Sequence, residues 1–268
     1  MLEEKQEENR TITELIEAGS EIAGSVSGAL IGAAIFGPVG IITGGAAGPI
    51  LTRLFTKAGK EVKKRILGDR EEARIGFTYA FGLNKIKCKL ESGEKLRDDG
   101  FFDSDVFDRS VGDEILDGVL RSAQVEYQEK KLPYYGNLLA NIAFDSSINE
   151  EKANLFLKIA QNLSYYQLCI IQFASQYGQT KLYWGFNFER IDELQKYSSL
   201  EPSIEELSKY KLLIVMKDGE SLMQMKISKL GLEFANLMEL NSIDKNVITS
   251  IEIEFSAVKK IIEKNKKL

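Results

Sequence analysis

Histidine is missing from this chain of 268 residues. Its absence removes histidine-dependent nucleophilic triads, histidine general bases and histidine metal sites together. Cysteine is scarce: Cys88 and Cys169 are the only two, far apart in sequence. They provide neither a disulfide framework nor zinc-ligand spacing, and a reducing compartment is expected. No Walker loop is present, and no glycine-rich turn follows a recognisable strand. Positive charge is not in excess, since the formal net charge is −5. A general nucleic-acid binder needs a basic surface, so DNA is not an expected partner. A basic leader is lacking too. Glu3, Glu4, Glu7 and Glu8 outweigh Lys5 and Arg10 at the start, the reverse of secretory-signal grammar, and export by the usual route is not expected. These absences predict a protein that is not an enzyme, with no cofactor and no metal.

What is present is the composition of a folded protein, 44% hydrophobic and 28% charged, in a length that holds one or two domains. Near the start, Thr11 and Glu14 have capping-box spacing, and Ile12, Leu15 and Ile16 line one face of a short helix. From Ile22 to Thr52 no residue is charged, a run of 31. Gly24, Gly28 and Gly32 recur four apart within it, and so do Gly40, Gly44 and Gly48. Residues four apart share a helix face, and glycine there lets another backbone approach closely where water cannot drive association. Gly37-Pro38 stands between the triplets and should break or bend the helix, giving a hairpin or one kinked helix.

The run is long enough to reach across a bilayer, although each half is short. Nine strongly apolar residues between Ile22 and Gly44 supply roughly −3 to −5 kcal/mol of insertion free energy. Six glycines, a proline and three hydroxyl residues oppose it. Such a balance suits conditional insertion, or a buried hairpin in a soluble oligomer. The basic stretch that follows, Arg53, Lys57, Lys60, Lys63, Lys64 and Arg65 against Glu61, has the sign for positive-inside placement and contact with anionic headgroups. A solvated helix face is the plainer reading of the same residues.

Residues 68 to 162 read as a helical bundle. Arg70 to Leu90 has Ile75, Tyr79, Leu83, Ile86 and Leu90 near one face. Val111 to Lys131 is a second long helix with Ile115, Val119, Leu120, Ala123 and Tyr127 inward, Pro133 begins a third, and Ser147 to Leu163 gives a fourth. Glu91 to Ser110 is expected to be an ordered loop pinned by Phe101 and Phe102. Asp98, Asp99, Asp103, Asp105 and Asp108 gather in that loop, but Phe107 and a missing glycine break the calcium-loop pattern. Arg97 stands beside these acids as a structural partner or a ligand-binding residue.

In the C-terminal part, Ser164 caps a helix through Leu168, Ile171 and Phe173; a second covers Phe188 to Tyr197, and Ser203 caps a third, Ile204 to Tyr210. Two apolar runs then flank Lys217-Asp218-Gly219, a hairpin signal, and Ser228 to Leu240 closes as a helix. Three helices followed by a two-stranded wing is the order of a winged helix. Residues 201 to 220 carry five acids against Lys209, Lys211 and Lys217, so phosphate repulsion is worst where base contacts are usually made, and protein contact is the expected use. From Val247 to Lys266, Ile248, Ile251, Phe255, Val258 and Ile262 recur at helical spacing, for oligomerisation or for docking on the same domain.

The segments Arg70-Glu71-Glu72-Ala73-Arg74-Ile75, Gly93 to Phe102, and Glu129-Lys130-Lys131-Leu132-Pro133 leading to Asn137 to Phe144 resemble those of a group of uncharacterised bacterial proteins. With the C-terminal winged helix, the layout is similar to abortive-infection-alpha proteins, which implies a role in phage defence and carries over no catalytic residue. The expectation is therefore a mainly α protein: a glycine-zipper region with its flanking acidic and basic helices over 1–67, a helical bundle over 68–162, a winged-helix-like module with a small β-hairpin over 163–243, and a terminal amphipathic helix over 244–268. The expected role is a membrane-acting effector or sensor that self-associates through its glycines at the inner membrane, cytoplasmic but conditionally or peripherally membrane-bound, with anionic lipid and a protein trigger as partners. The alternative is a soluble interaction module that uses the hairpin to oligomerise.

Overall fold

The computed structural model describes residues 47–106, 108–177, 182–185, 191–218 and 222–265. The acidic helix at Thr11 to Ile16, the glycines from Gly24 to Gly44 and the Gly37-Pro38 break lie outside the described residues. The chain divides into two compact units, Met1–Asn162 and Leu163–Leu268. The described residues are mainly helical, with one small antiparallel sheet among them.

Five α-helices make up the described part of the first unit: α1 Ala47–Lys63, α2 Asp69–Glu91, α3 Val111–Val125, α4 Leu132–Ile142 and α5 Glu150–Asn162. α1 begins within the uncharged run and buries Gly48, Leu51, Leu54, Phe55 and Val62. Phe55 meets the Tyr79 ring edge-on, centroids 5.1 Å apart, and the Tyr79 hydroxyl donates to the Phe55 carbonyl at 3.1 Å. Gly68 precedes α2, and the Glu71 carboxylate turns back to accept its N–H at 2.9 Å, a bond that holds Glu71 below the usual carboxylate range. α2 is buried almost all round from Ile75 to Ala80, because α3 and α4 pack against it and Phe55 of α1 meets Tyr79.

The α2–α4 crossing is unusually close. A Cβ on Gly136 would stand 3.1 Å from the Gly82 backbone nitrogen and 2.7 Å from the Phe81 ring. Small residues here let two helices touch through their backbones inside the first unit.

α3 is shorter than its periodicity predicts. Ser110 and Asp113 form a reciprocal capping box at its start. At Glu126 the backbone leaves the helix for an extended conformation, so the helix stops six residues before Lys131. Tyr127, expected inward, is therefore 79% exposed. The reason is Glu126: its carboxylate turns inside to pair with buried Lys131 at 2.5 Å, and the helix cannot continue through that reversal.

The second unit opens with α6, Tyr165–Tyr177, capped by Ser164, whose Oγ accepts the Gln167 N–H at 3.2 Å. Then come β1 Leu182–Gly185, a 3-10 turn Asp192–Tyr197, α7 Leu200–Lys209, β2 Leu213–Asp218 and β3 Leu222–Ile227. The hairpin is present, pairing Leu213 with Ile227 through to Asp218 with Leu222. β1 is a third strand that the sequence reading did not anticipate. It lies on the far side of β3, giving the order β1-β3-β2. Of the expected helix from Phe188 to Tyr197, residues 188–190 lie outside the described set and the remainder is the 3-10 turn.

The expected helix from Ser228 to Leu240 is α8, Lys229–Leu237. It ends early because Glu239 turns left-handed (φ 51°) into a 3-10 turn, Leu240–Ser242. Ser228 caps α8 by accepting the Gly231 N–H at 2.9 Å, and its hydroxyl donates to the Lys211 carbonyl at 2.6 Å. Gly231 is obligatory there, since a Cβ would sit 2.2 Å from the Leu212 carbonyl oxygen. The terminal helix α9, Lys245–Asn265, belongs to this unit: it packs on α6, stacking Phe255 on Phe173 at 5.0 Å, and buries Ile248, Ile251, Val258 and Ile262.

Candidate functional site

The sequence directs attention to the basic helix after the uncharged run, and α1 carries its cations on two faces. Residues 53, 57, 61 and 65 are four apart and so share one side of the helical path. That side meets Asp113 and Asp117, themselves four apart on α3. Arg53 donates to the Phe102 carbonyl at 2.7 Å and to Ser104 Oγ at 2.9 Å, and lies 3.5 Å from Asp113. Lys57 donates to the Asp108 carbonyl and lies 3.6 Å from Asp113. Just past the helix end, Arg65 grips Asp117 at 2.6 Å and Gln124 at 3.2 Å. Glu61 faces Arg109 at 3.8 Å, and Arg109 also approaches Asp117 at 3.7 Å. Half of the six candidate headgroup residues, Arg53, Lys57 and Arg65, are thus engaged with the body of their own unit. Lys60, Lys63 and Lys64 are exposed.

The loop residues form a separate cluster. Arg97 is buried, donates to the carbonyls of Ile148 at 2.7 Å and Ile142 at 3.3 Å, and makes a forked pair with Asp99. That guanidinium, first among several hydrogen bonds, holds the Asp99 carboxyl below its usual range. The Phe101 ring stacks beneath Arg97 at 4.1 Å and meets Phe102 edge-on at 5.2 Å. All of the Arg97 donors named here point at groups of its own unit, so the cluster builds the loop. Asp98 is exposed beside it. Among the described residues no group of three or more Cys, Asp or Glu side chains is placed to hold a metal ion.

Of the glycine series, Gly48 alone is described, buried in the first turn of α1. The final six residues of the uncharged run, 47 to 52, are the start of that docked helix. Among the described residues no helix is long and apolar enough to cross a membrane.

Sequence reasoning passed over Asp113 and Asp117. Their signal was available: two acids four apart on a predicted helix, matching the four-residue spacing of Arg53, Lys57 and Arg65. It also passed over Ile66, which follows the cations and is fully exposed. Comparison with family models, with curated proteins and with solved structures finds no match.

Proposed function

We propose that this chain is a membrane-acting effector or sensor, which self-associates through its glycine-spaced run at the inner membrane. The observation that carries the reading is continuity. The uncharged run passes without a linker into α1, whose Leu51, Leu54 and Phe55 are core residues and whose Arg53 is tied to Phe102 and Asp113. Any displacement or assembly of the run therefore acts directly on a packed helix. Gly28 and Gly44 supply close backbone approach between copies.

The second unit is read here as a winged helix. Support comes from the order helix, strand, 3-10 turn, helix, strand, strand, with β3 between β1 and β2. Its α7 carries Glu201, Glu205 and Glu206 in the first two turns, which opposes phosphate and favours a protein trigger. A trigger arising in phage infection is what the abortive-infection layout implies.

Dye release from anionic vesicles tests the proposal, using the full chain with Gly28→Leu and Gly44→Leu as probes. Wild type is expected to release dye on assembly. Each leucine variant is expected to lose release at least tenfold while keeping the wild-type circular dichroism. Wild type that never releases dye overturns the reading. The inward engagement of Arg53, Lys57 and Arg65 favours a second reading, a soluble interaction module; it predicts lipid-free oligomers that the same leucine variants disperse.

A further inference from the structure

We infer that the edge of the sheet in the second unit, strand β2, takes an extended acidic segment of a partner protein as an added strand. The inference rests on the protein-trigger part of the reading above and names that trigger's chemistry. The ladder shows which backbone groups are available. The Ser228 N–H donates to the Leu212 carbonyl at 2.9 Å, and hydrogen-bonded pairs alternate along an antiparallel ladder. Ile214 with Lys226 and Met216 with Gln224 are therefore the pairs that bond to each other. Val215, between them, directs its own N–H and C=O away from β3. β2 stands at the end of the strand order β1-β3-β2, and among the described residues nothing bonds those outward groups.

The opening begins where the strand leaves the core. Leu212 and Leu213 are at most 2% exposed, whereas Ile214 is 41% and Met216 43% exposed. Ile214 and Met216 share one face of the sheet, two residues apart. A strand laid against Val215 gains main-chain hydrogen bonds and sets alternate side chains beside this apolar pair.

Charge selects the occupant. Residues 207–217 and 221–232 hold five lysines and no acid, in a chain whose net charge is −5. Lys209, Lys211 and Lys229 are exposed, and Lys226 is half-buried beside Ile214. Among the described residues none of these four is paired with an acid. Lys211 leads into β2 and Lys229 follows β3, so both stand at the base of the hairpin. Asp218 and Glu220 belong to its other end, and Glu205 and Glu233 lie one helical turn from Lys209 and Lys229. An acidic segment therefore meets its counter-charges at the base while its apolar residues pass Ile214 and Met216. Nucleic acid shares the charge but uses neither the apolar pair nor an outward peptide carbonyl.

Titration of the full chain with fluorescein-labelled peptides tests this. The probe is an aspartate-headed peptide of alternating valine and threonine. Its controls are the same peptide headed by lysines and the acidic peptide N-methylated at alternate amides. The acidic peptide is expected to bind, and both controls to bind about tenfold more weakly or less. Val215→Pro removes an outward N–H and no bond to β3, and is expected to weaken binding about tenfold with the melting point little changed. Lys211→Glu with Lys229→Glu is expected to weaken the acidic peptide about tenfold and to strengthen the lysine-headed one. Lys158→Glu, on the exposed side of α5, should leave binding unchanged. Equal binding of the acidic and lysine-headed peptides overturns the proposal, and so does full binding of the N-methylated one. A DNA duplex that binds through Lys211 and Lys229 where the peptide does not assigns the patch to phosphate and overturns it too. Wild type that releases vesicle dye yet binds no acidic peptide overturns this surface alone. Wild type that binds the peptide through Val215 but never releases dye supports the surface and overturns the membrane reading.

Discussion

Lys131 is 2% exposed, with its ammonium 2.5 Å from Glu126, and the Tyr135 hydroxyl stands 3.0 Å from the same carboxylate. Burying such a pair is stabilising only while both members remain. Glu126→Ala strands a lysine charge indoors and is expected to cost about 3–5 kcal/mol in urea unfolding. Glu126→Met with Lys131→Met should cost distinctly less than the single change, and equal losses would show that the pair is unimportant. Alkaline pH probes the neighbouring phenols. Burial pushes Tyr79 and Tyr135 above the ordinary tyrosine value of 10.0, with Glu126 adding to the shift of Tyr135. A raised folded-state value means that stability is complete below 10.0 and falls as pH climbs above it. Each phenol then removes up to about 1.4 kcal/mol per pH unit. Burial shifts Lys131 the other way, below 10.5, so its own contribution rises with pH up to that value and opposes the phenols only there. Above 10.5 the decline comes from the buried phenols, and Tyr166 in the second unit, raised chiefly by burial, adds to it. Tyr79→Phe should flatten it, and an unchanged slope would count against the assignment. None of this was legible from periodicity, which placed Tyr127 inward on a helix that Glu126 and Lys131 in fact terminate.

At the scale of elements, helix positions were largely readable and the closeness of their contacts was not. Apolar spacing placed α2, α4 and α5 within a few residues and drew α3 six residues too long, because 3.6-residue periodicity records which face is buried and not where a helix stops. It says nothing about how near the facing backbone comes. The glycines singled out in the sequence lay in the uncharged run, whereas the tight crossing that the structure describes joins Gly82 to Gly136. Gly136→Ala sets a methyl against backbone atoms that cannot yield, and is expected to lose about 1–3 kcal/mol in thermal unfolding. Gly118→Ala meets only the end of the Leu157 side chain, which can rotate away. There the helix-propensity gain of about 1 kcal/mol offsets the contact, and the melting point should move little. Equal losses at the two sites would mean that the crossing distance is not what matters. β1 was missed for a different reason. Four residues carry too little alternation to signal a strand, and its pairing with β3 is a long-range fact.

For the whole molecule, a boundary drawn from charge and composition differs from one drawn from packing. The sequence groups α1 with the glycine run, because both stand apart from the mixed charges downstream. Packing places α1 with α2 and α3: Leu51, Leu54, Phe55 and Val62 are each at most 2% exposed, and Tyr79 closes over Phe55. A chain that starts at Ala47 keeps every one of these contacts and should still unfold cooperatively. A chain that starts at Gly68 uncovers all four side chains' partners and removes Arg53, Lys57 and Arg65 from Asp113 and Asp117. At about 1.5–3 kcal/mol for each large apolar side chain, that loss is comparable to the full stability of a domain. The shorter chain is therefore expected to be molten or insoluble, with exposed apolar surface that binds a hydrophobic dye. If it instead melts cooperatively at the wild-type temperature, α1 is an appendage. The packing of residues 47–52, the end of the uncharged run, on the helical body, on which the proposed function depends, would then carry no stability.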